Sequence, residues 1–261
     1  MVARVVDPDL GVVEVPEPSP ALGGAALSKL GHELRGPLSG IISLTGIMSS
    51  KIARDVVDPA QQVRQLGMLT ESAKGLLDLV ERLIGLAHLE NDDPEPQAER
   101  TDCRAIVAEV VADLGPSAAA RERRLVVASP AEPVVAPAPA SSVRTIVREL
   151  LDNAIKYGDT DDIDVRVGVS ADTGRAWLEV RDHGPGLDAE TQQLFQPFVR
   201  GSAAEVRDES GTGLGLCLAQ RTVTRCGADF AVRTGPAGTL FTVTFAAPSD
   251  LSEDLADRSE P

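Results

Sequence analysis

Positive charge is in short supply: 25 lysines and arginines stand against 40 aspartates and glutamates, for a formal net charge of −15. Phosphate backbones and anionic lipid surfaces repel such a chain, which excludes broad contact with nucleic acid or membrane and leaves a protein or small molecule as partner. Cysteine is nearly missing. Cys103, Cys217 and Cys226 are odd in number and form no CxxC pair, which excludes a disulfide framework and a zinc site and fits a reducing compartment, the cytoplasm. No run approaches the ~18 apolar residues of a membrane span, and the opening MVARVVDPDLGVVEVPEPSP lacks the basic-then-apolar layout of a signal peptide. Any stimulus is therefore expected to arrive through a soluble sensor or regulatory partner, or through a domain missing from this chain. Aromatics are 3% of the residues, an Ala- and Arg-rich bias to which no function attaches.

What is present suffices for a core, since 43% of the 261 residues are apolar. Residues 1–24, with prolines at 8, 16, 18 and 20, read as a flexible N-terminal arm. From Leu27 the positions Leu30, Leu34, Leu38, Ile41, Thr45, Met48 and Ile52 step by three or four. After a turn at ARDVVDPA the stepping resumes through Val63, Leu66, Thr70, Ala73, Leu77, Val80, Ile84 and Ala87. The pattern predicts a helical hairpin over 25–91. A lone hairpin cannot cover both apolar faces, so a homodimer forming a four-helix bundle is expected. The acidic, proline-bearing segment 92–100 reads as a linker. Residues 101–247 mix helical stretches such as SVRTIVRELLDNAIKYG with alternating strands DIDVRVGVS, RAWLEVRD and GTLFTVTFA, so the class is α+β. The last segment, 248–261, carries five acids and one arginine and reads as a disordered tail.

Chemistry concentrates at a few points. In GHELRGPLSG, three glycines and a proline interrupt a helical stretch, each interior Gly costing about 1 kcal/mol and Pro roughly 3. His32 lies two residues from both Leu30 and Leu34 and so projects away from the seam. Pro37 has no N–H for the Glu33 carbonyl, and the helix is expected to bend there. A carboxylate beside an exposed imidazole can hold one ring nitrogen protonated and leave the other free to attack an electrophile. The irregular stretch thus presents a nucleophile.

Downstream, ELLDNAIKYG places Asn153, a hard oxygen donor suited to magnesium, one turn before Lys156 and Tyr157. RDHGPGLD ends a strand at Asp182 and follows it with Gly184 and Gly186, which let backbone approach a ligand. LFQPFVRG offers Phe195 and Phe198 for packing and Arg200 for a phosphate. GTGLGLCLA, with glycines at 211, 213 and 215, runs into a helix whose exposed N–H groups suit an anion. His88 and His183 read as structural or solvated.

Taken in order, these motifs resemble those of the sensor histidine kinases of two-component signalling: HELRGPL the phosphoacceptor box, ELLDNAIKYG the asparagine box, RDHGPGLD and GTGLGL two glycine boxes, LFQPF the phenylalanine box. The resemblance covers about residues 25–247. It implies a dimerisation and phosphotransfer hairpin followed by an α/β sandwich of the Bergerat ATPase fold. It further implies that His32 takes the γ-phosphoryl of ATP with Glu33 as base, and that a response regulator aspartate receives it. On the same resemblance Asn153 holds Mg2+, Asp182 bonds the adenine amino group, the three loop glycines frame a mobile lid, and Lys156, Tyr157 and Thr239 contact nucleotide. Lys156 and Arg200 would offset the acidic bulk locally.

Two positions depart from the pattern. Gly36 stands where many relatives carry Thr or Asn to position water, which implies a weak phosphatase. Glu149 stands where many carry Asn, and related ATPases such as gyrase use Glu as a base for water, so an ATP-hydrolysing dimer is the alternative. An inactive phosphotransfer or scaffold protein is a third.

Overall fold

A computed structural model of the chain describes residues 9–18, 24–54, 58–90, 99–158, 162–187, 191–201 and 211–247. The chain divides into two compact units, Pro20–Glu90 and, together, Met1–Ser19 with Asn91–Pro261. The linker expected at 92–100 lies outside the described residues but for 99 and 100, and the expected acidic tail lies wholly outside them.

The first unit is a hairpin of α1 (Gly24–Ala53) and α2 (Pro59–Glu90). Helix α1 continues through Pro37. Asp58 opens α2: its side chain accepts from Ala60 N at 3.0 Å, and Pro59 occupies the first helical position, where a missing N–H does no harm. The helices come close where Gly40 faces Ser72, whose Oγ would lie 3.6 Å from a Cβ on that glycine. The burial of α2 differs from the expected stripe. Val63, Leu66, Leu77, Val80 and Ile84 are exposed, and the covered or half-covered positions include Leu69, Ser72, Leu76, Leu79, Leu83 and Leu86. On α1, Leu30, Leu34, Ile41, Leu44 and Met48 are half-buried, whereas Leu38, Ile42, Ile47 and Ile52 are exposed. Each helix therefore shows two apolar stripes, and only one is covered within the chain.

The second unit is built on a six-stranded sheet. Its elements in chain order are β1 (Gly11–Val13), β2 (Thr101–Asp102), α3 (Cys103–Ala119), β3 (Arg124–Ala128), β4 (Val135–Ala136), α4 (Ala140–Tyr157), β5 (Asp162–Val169), β6 (Ala176–Asp182), α5 (Gly215–Arg225), β7 (Asp229–Gly235) and β8 (Gly238–Thr244), with a 3-10 turn at Thr191–Phe195. The sheet order is β1-β7-β8-β6-β5-β3, and β2 pairs with β4 apart from it. Every neighbour in the large sheet is antiparallel except β3 beside β5. One face carries Ile163, Val165, Val167, Leu178, Val180, Val232, Phe241 and Val243 into a common core with α3, α4 and α5. This is the expected α/β sandwich. Strand alternation supplies the sheet's half of the core, and Val143, Ile146, Val147, Leu150, Leu151, Ala154 and Ile155 form the apolar stripe of α4.

One expectation is corrected. Residues 1–24 read as a flexible arm, yet Gly11–Val13 form an edge strand paired with β7, and Leu10 is 4% exposed. The prolines at 16 and 18 follow this strand and leave its pairing intact. Residues 1–8 and 19–23 lie outside the described residues.

A second local device fixes α3. Asp102 caps it through Arg104 N at 3.1 Å and also accepts from Val134 N at 3.1 Å, tying the helix start to the residue just before β4. The Arg104 side chain on the carboxylate holds its pKa below the usual value. Asp102→Ala should therefore lower stability by about 1 kcal/mol at neutral pH. Because the folded-state pKa is depressed, that stabilisation is present above the unfolded value of about 3.9 and disappears as pH falls through the folded one. Thermal unfolding of both proteins across pH 2.5–7 checks it: the difference should close in acid.

Candidate functional site

Asp182 ends β6 and is 7% exposed. Its Oδ1 accepts two backbone N–H groups, from Gly184 at 3.0 Å and from Thr239 at 3.1 Å. That fixes the carboxylate plane and leaves Oδ2 for an incoming donor. Burial pushes the carboxyl above its ordinary pKa, against the opposing pull of those two N–H groups and of His183 and Arg181. Thr239 is itself buried, and its hydroxyl meets Thr234 Oγ1 at 3.2 Å. The last residue of the α4 cap, Gly158, packs on Asp182: a Cβ there would lie 3.3 Å from Asp182 Cβ. Helix α4 is thereby anchored beside the carboxylate.

Asn153 is half-buried on α4, and one turn earlier Glu149 is 4% exposed. Both side chains point at the first residue of α5: a Cβ on Gly215 would sit 2.7 Å from Glu149 Oε2 and 3.6 Å from Asn153 Oδ1. Only glycine allows this approach. A carboxylate and a carboxamide oxygen are a hard donor pair, and the two fit magnesium. Among the described residues no group of three or more His, Cys, Asp or Glu is arranged for a metal, so such an ion would take much of its coordination from water and a polyphosphate.

Lys156 does not stand free: its ammonium lies 2.6 Å from Asp152 Oδ2, the i,i+4 partner on the same helix. Tyr157 OH comes within 3.1 Å of the place a Cβ on Gly211 would occupy. Gly213 has φ +67°, and a side chain there would meet Val199 O and the Phe198 backbone at 2.8 and 3.0 Å. In return Phe198 N donates to Gly213 O at 2.9 Å, with Phe198 at φ 60°. The glycine loop and the QPF segment are thus stitched together, while Phe195 meets Phe230 edge-on at 6.0 Å and Phe230 stacks on Phe241. Arg200, two residues beyond Phe198, is half-buried, and Gly186 adopts φ +79° in the turn after Asp182. His183 pairs with Asp164 at 3.1 Å.

One unit therefore brings together Asn153, Tyr157, Asp182, Gly184, Gly186, Gly211, Gly213, Gly215 and Thr239. His32 and Glu33 belong to the other, both exposed on α1 between the half-buried Leu30 and Leu34. Thr234 went unnoticed in the sequence, since a threonine in a strand is ordinary and its role arises only from the β7–β8 register.

Asp182→Asn keeps an Oδ1 acceptor for both N–H groups but presents an amide where the free oxygen was. The raised pKa means that the charged form opposes folding at neutral pH, and the stability this group contributes is lost as pH rises through the folded-state value. The substituted protein should be as stable as the parent or more so at pH 7, while ADP affinity should fall roughly 10- to 100-fold on the expectation, implied by the sequence resemblance, that Asp182 bonds the adenine amino group. Calorimetry beside thermal unfolding checks both. In the parent, affinity should weaken on acidification already above the ordinary carboxylate range, and the substitution should remove that dependence.

The chain matches two family models: "His Kinase A (phospho-acceptor) domain" over residues 24–92 and "Histidine kinase-, DNA gyrase B-, and HSP90-like ATPase" over residues 139–249. Sensor histidine kinase AruS of Pseudomonas aeruginosa is 28% identical over 235 residues, covering 87% of this chain and 23% of that protein. Sensor histidine kinase RcsC of Escherichia coli is 28% identical over 220 residues, covering 83% and 22%. The chain thus spans less than a quarter of the length of these relatives. The solved structure of Acinetobacter baumannii histidine kinase AdeS shares the fold, with TM-score 0.64 at 21% identity, over 83% of this chain and 98% of that one.

Proposed function

Because the chain belongs to the histidine kinases of two-component signalling, we propose that it transfers the γ-phosphoryl group of ATP to its own His32 and then to an aspartate of a separate response regulator. Residues 139–249 match the ATPase family model, and we read the domain over 101–247 as the ATP-binding one. The observation that carries the reading is the exposure of His32 with Glu33 beside it, on a helix whose neighbouring apolar residues are turned inward. In the transfer a lone pair on His32 forms an N–P bond, the bond from γ-phosphorus to the β,γ-bridging oxygen breaks, and ADP leaves. Glu33 orients the ring and draws off the proton on the other nitrogen.

The chain's part in the other unit is positioning. Asp182 Oδ2 receives the adenine amino group, Tyr157 and Thr239 flank it, and the loop of Gly211, Gly213 and Gly215 leads to the N–H groups of α5 beside the phosphates. Asn153, with Glu149 near it, would hold magnesium, which would supply charge neutralisation to the phosphate oxygens. Lys156 acts only as far as Asp152 releases it, and Arg200 is the second cation on that side. The exposed stripe of Leu38, Ile42, Val63, Leu66, Leu77 and Ile84 supports dimerisation of the hairpin with a second copy into a four-helix bundle. No helix among the described residues is long and apolar enough to cross a membrane. We place the chain in the cytoplasm, with input from a soluble sensor or regulatory partner.

Incubation with ATP labelled on the γ-phosphate should give acid-labile, base-stable label on the protein, absent in His32→Ala and reduced at least ~100-fold in Asn153→Ala, whose loss removes a positioning ligand. A second reading, ATP hydrolysis with Glu149 as base for water, is favoured by the burial of that carboxylate next to Asn153. Free phosphate without protein label, abolished by Glu149→Gln, would decide for the hydrolase.

Gly36 is exposed, and a Cβ there meets nothing within 4 Å, so a side chain fits without rearrangement. The parent should dephosphorylate its regulator slowly, and Gly36→Thr should speed that reaction while leaving label on His32 intact. Dephosphorylation already fast in the parent and unchanged by the substitution would contradict the weak-phosphatase reading.

A further inference from the structure

Residues 9–18 precede the hairpin in sequence yet belong to the nucleotide-binding unit. Gly11, Val12 and Val13 pair with Thr234, Arg233 and Val232. Leu10 is buried, and Val13 and Val15 pack on the core, while Val12 is 75% exposed. At one end of the segment Asp9 O lies 2.5 Å from the position of a Cβ on Gly235, against the β7–β8 turn. At the other, Gln220 of α5 donates its Nε2 to Pro16 O, and Gln220 is 3% exposed. The segment thus touches both walls of the nucleotide site, the hairpin turn behind Asp182 and the helix that follows the glycine loop.

The contact at the turn leads directly to the carboxylate. Thr234, the partner of Gly11, accepts from Leu187 N at 2.7 Å, which holds the loop after Asp182. Its hydroxyl meets Thr239 Oγ1 at 3.2 Å, and Thr239 N donates to Asp182 Oδ1 at 3.1 Å. Gly186, in the same loop, packs on Thr234 Oγ1 and the Gly235 carbonyl, where a side chain has no room. A three-residue edge strand exposed on one side has few contacts to hold it, which places it among the elements a protein opens most readily.

We propose that this segment positions Asp182: when docked it fixes the Thr234–Thr239 buttress and gives the site its affinity for adenine nucleotide, and when released it weakens that affinity. The proposal rests on the reading of residues 139–249 as an ATP-binding domain. Gly24, the first residue of α1, comes six positions after Pro18, and His32 eight after that. Whatever acts on α1 along the chain from before it must pass through this strand, so tension there would reach the nucleotide site and the phosphoacceptor helix together. Leu10 and Thr234 are positioning residues and touch no substrate.

The test uses the full chain with Leu10→Lys, which destroys the buried anchor, and Leu10→Met, which keeps it. A second pair is Thr234→Val, which deletes the hydroxyl at constant shape, and Thr234→Ser, which retains it. ADP affinity is measured by calorimetry, folding by thermal unfolding, and strand release by amide exchange at residues 232–239. Leu10→Lys and Thr234→Val should each weaken ADP about tenfold, the equivalent of one well-placed hydrogen bond lost, with the conservative partners close to the parent. In the kinase assay the KM for ATP should rise while kcat at saturation holds. Leu10→Lys should also expose amides 232–239. Parent-like ADP affinity in Thr234→Val, or in a Leu10→Lys protein whose strand has come free, overturns the proposal. So does a Leu10→Lys protein whose amides stay protected, since the strand is then held by something other than its anchor. A parent chain that binds no ADP sinks the nucleotide-binding reading itself, whereas parent binding with unchanged variants sinks this proposal alone.

Discussion

A buried carboxylate needs its oxygens spoken for, and Asp182 meets that demand with backbone on one side only. Two N–H groups, from the turn after β6 and from the start of β8, converge on Oδ1. Satisfying one oxygen with fixed donors keeps the group in place without neutralising it, and burial raises its pKa as the consequence. The rest of the nucleotide-binding unit is arranged around this point. Thr239 can donate only because β6 and β8 are neighbours in register, Asp182 facing Thr239. Helix α4 reaches it through Gly158, and the α4 side chains Glu149 and Asn153 then fall at the start of α5. The carboxylate, proposed to receive a neutral amino group, carries a charge that opposes folding, and the core of α3, α4, α5 and the sheet offsets it.

The hairpin solves the opposite problem. There the imidazole proposed to react, His32, is exposed, so the helix must hold shape without burying that face. Leu30 and Leu34 turn inward on either side of His32, and a missing N–H at Pro37 frees the Glu33 carbonyl. Both helices keep a second apolar stripe uncovered by the chain's own residues. A stripe of that extent is unfavourable in water and asks for a partner of matching period, which a second copy supplies by symmetry.

Much of this was legible in the sequence, and the exceptions have physical causes. Periodicity gave both helices of the hairpin, yet for α2 it picked out Val63, Leu66, Leu77 and Ile84, the stripe that the chain leaves open. Two apolar stripes coexist on that helix, and spacing alone does not say which one an intramolecular neighbour covers. The strands DIDVRVGV and AWLEVRD were readable because alternation reports a sheet with one face in a core. The edge strand at Gly11–Val13 was not, for its three residues lie among prolines and owe their conformation to pairing with β7, more than 200 residues away. Asp182 and the loop glycines belong to motifs that can be recognised, and Thr239 follows from the family resemblance; Thr234 acts only through register. The pairing of Lys156 with Asp152 was open to view as an i,i+4 spacing of opposite charges.

That pairing bears on how so acidic a chain tolerates a polyphosphate. With a net charge of −15 the bulk field opposes ATP, and the nearest lysine is already answered by Asp152. Long-range attraction therefore contributes little, and at physiological ionic strength charges beyond about 8 Å are largely screened in any case. What remains is short-range: N–H groups at the start of α5, the shape of the loop fixed by Phe198 and Gly213, and, on the proposed reading, Arg200 and a cation that would come with the nucleotide. Such a site gains affinity from the geometry of its walls more than from charge. Small changes in wall position, at the β7–β8 turn or at α5, then become the natural means of control, and both places are where residues 9–18 make contact.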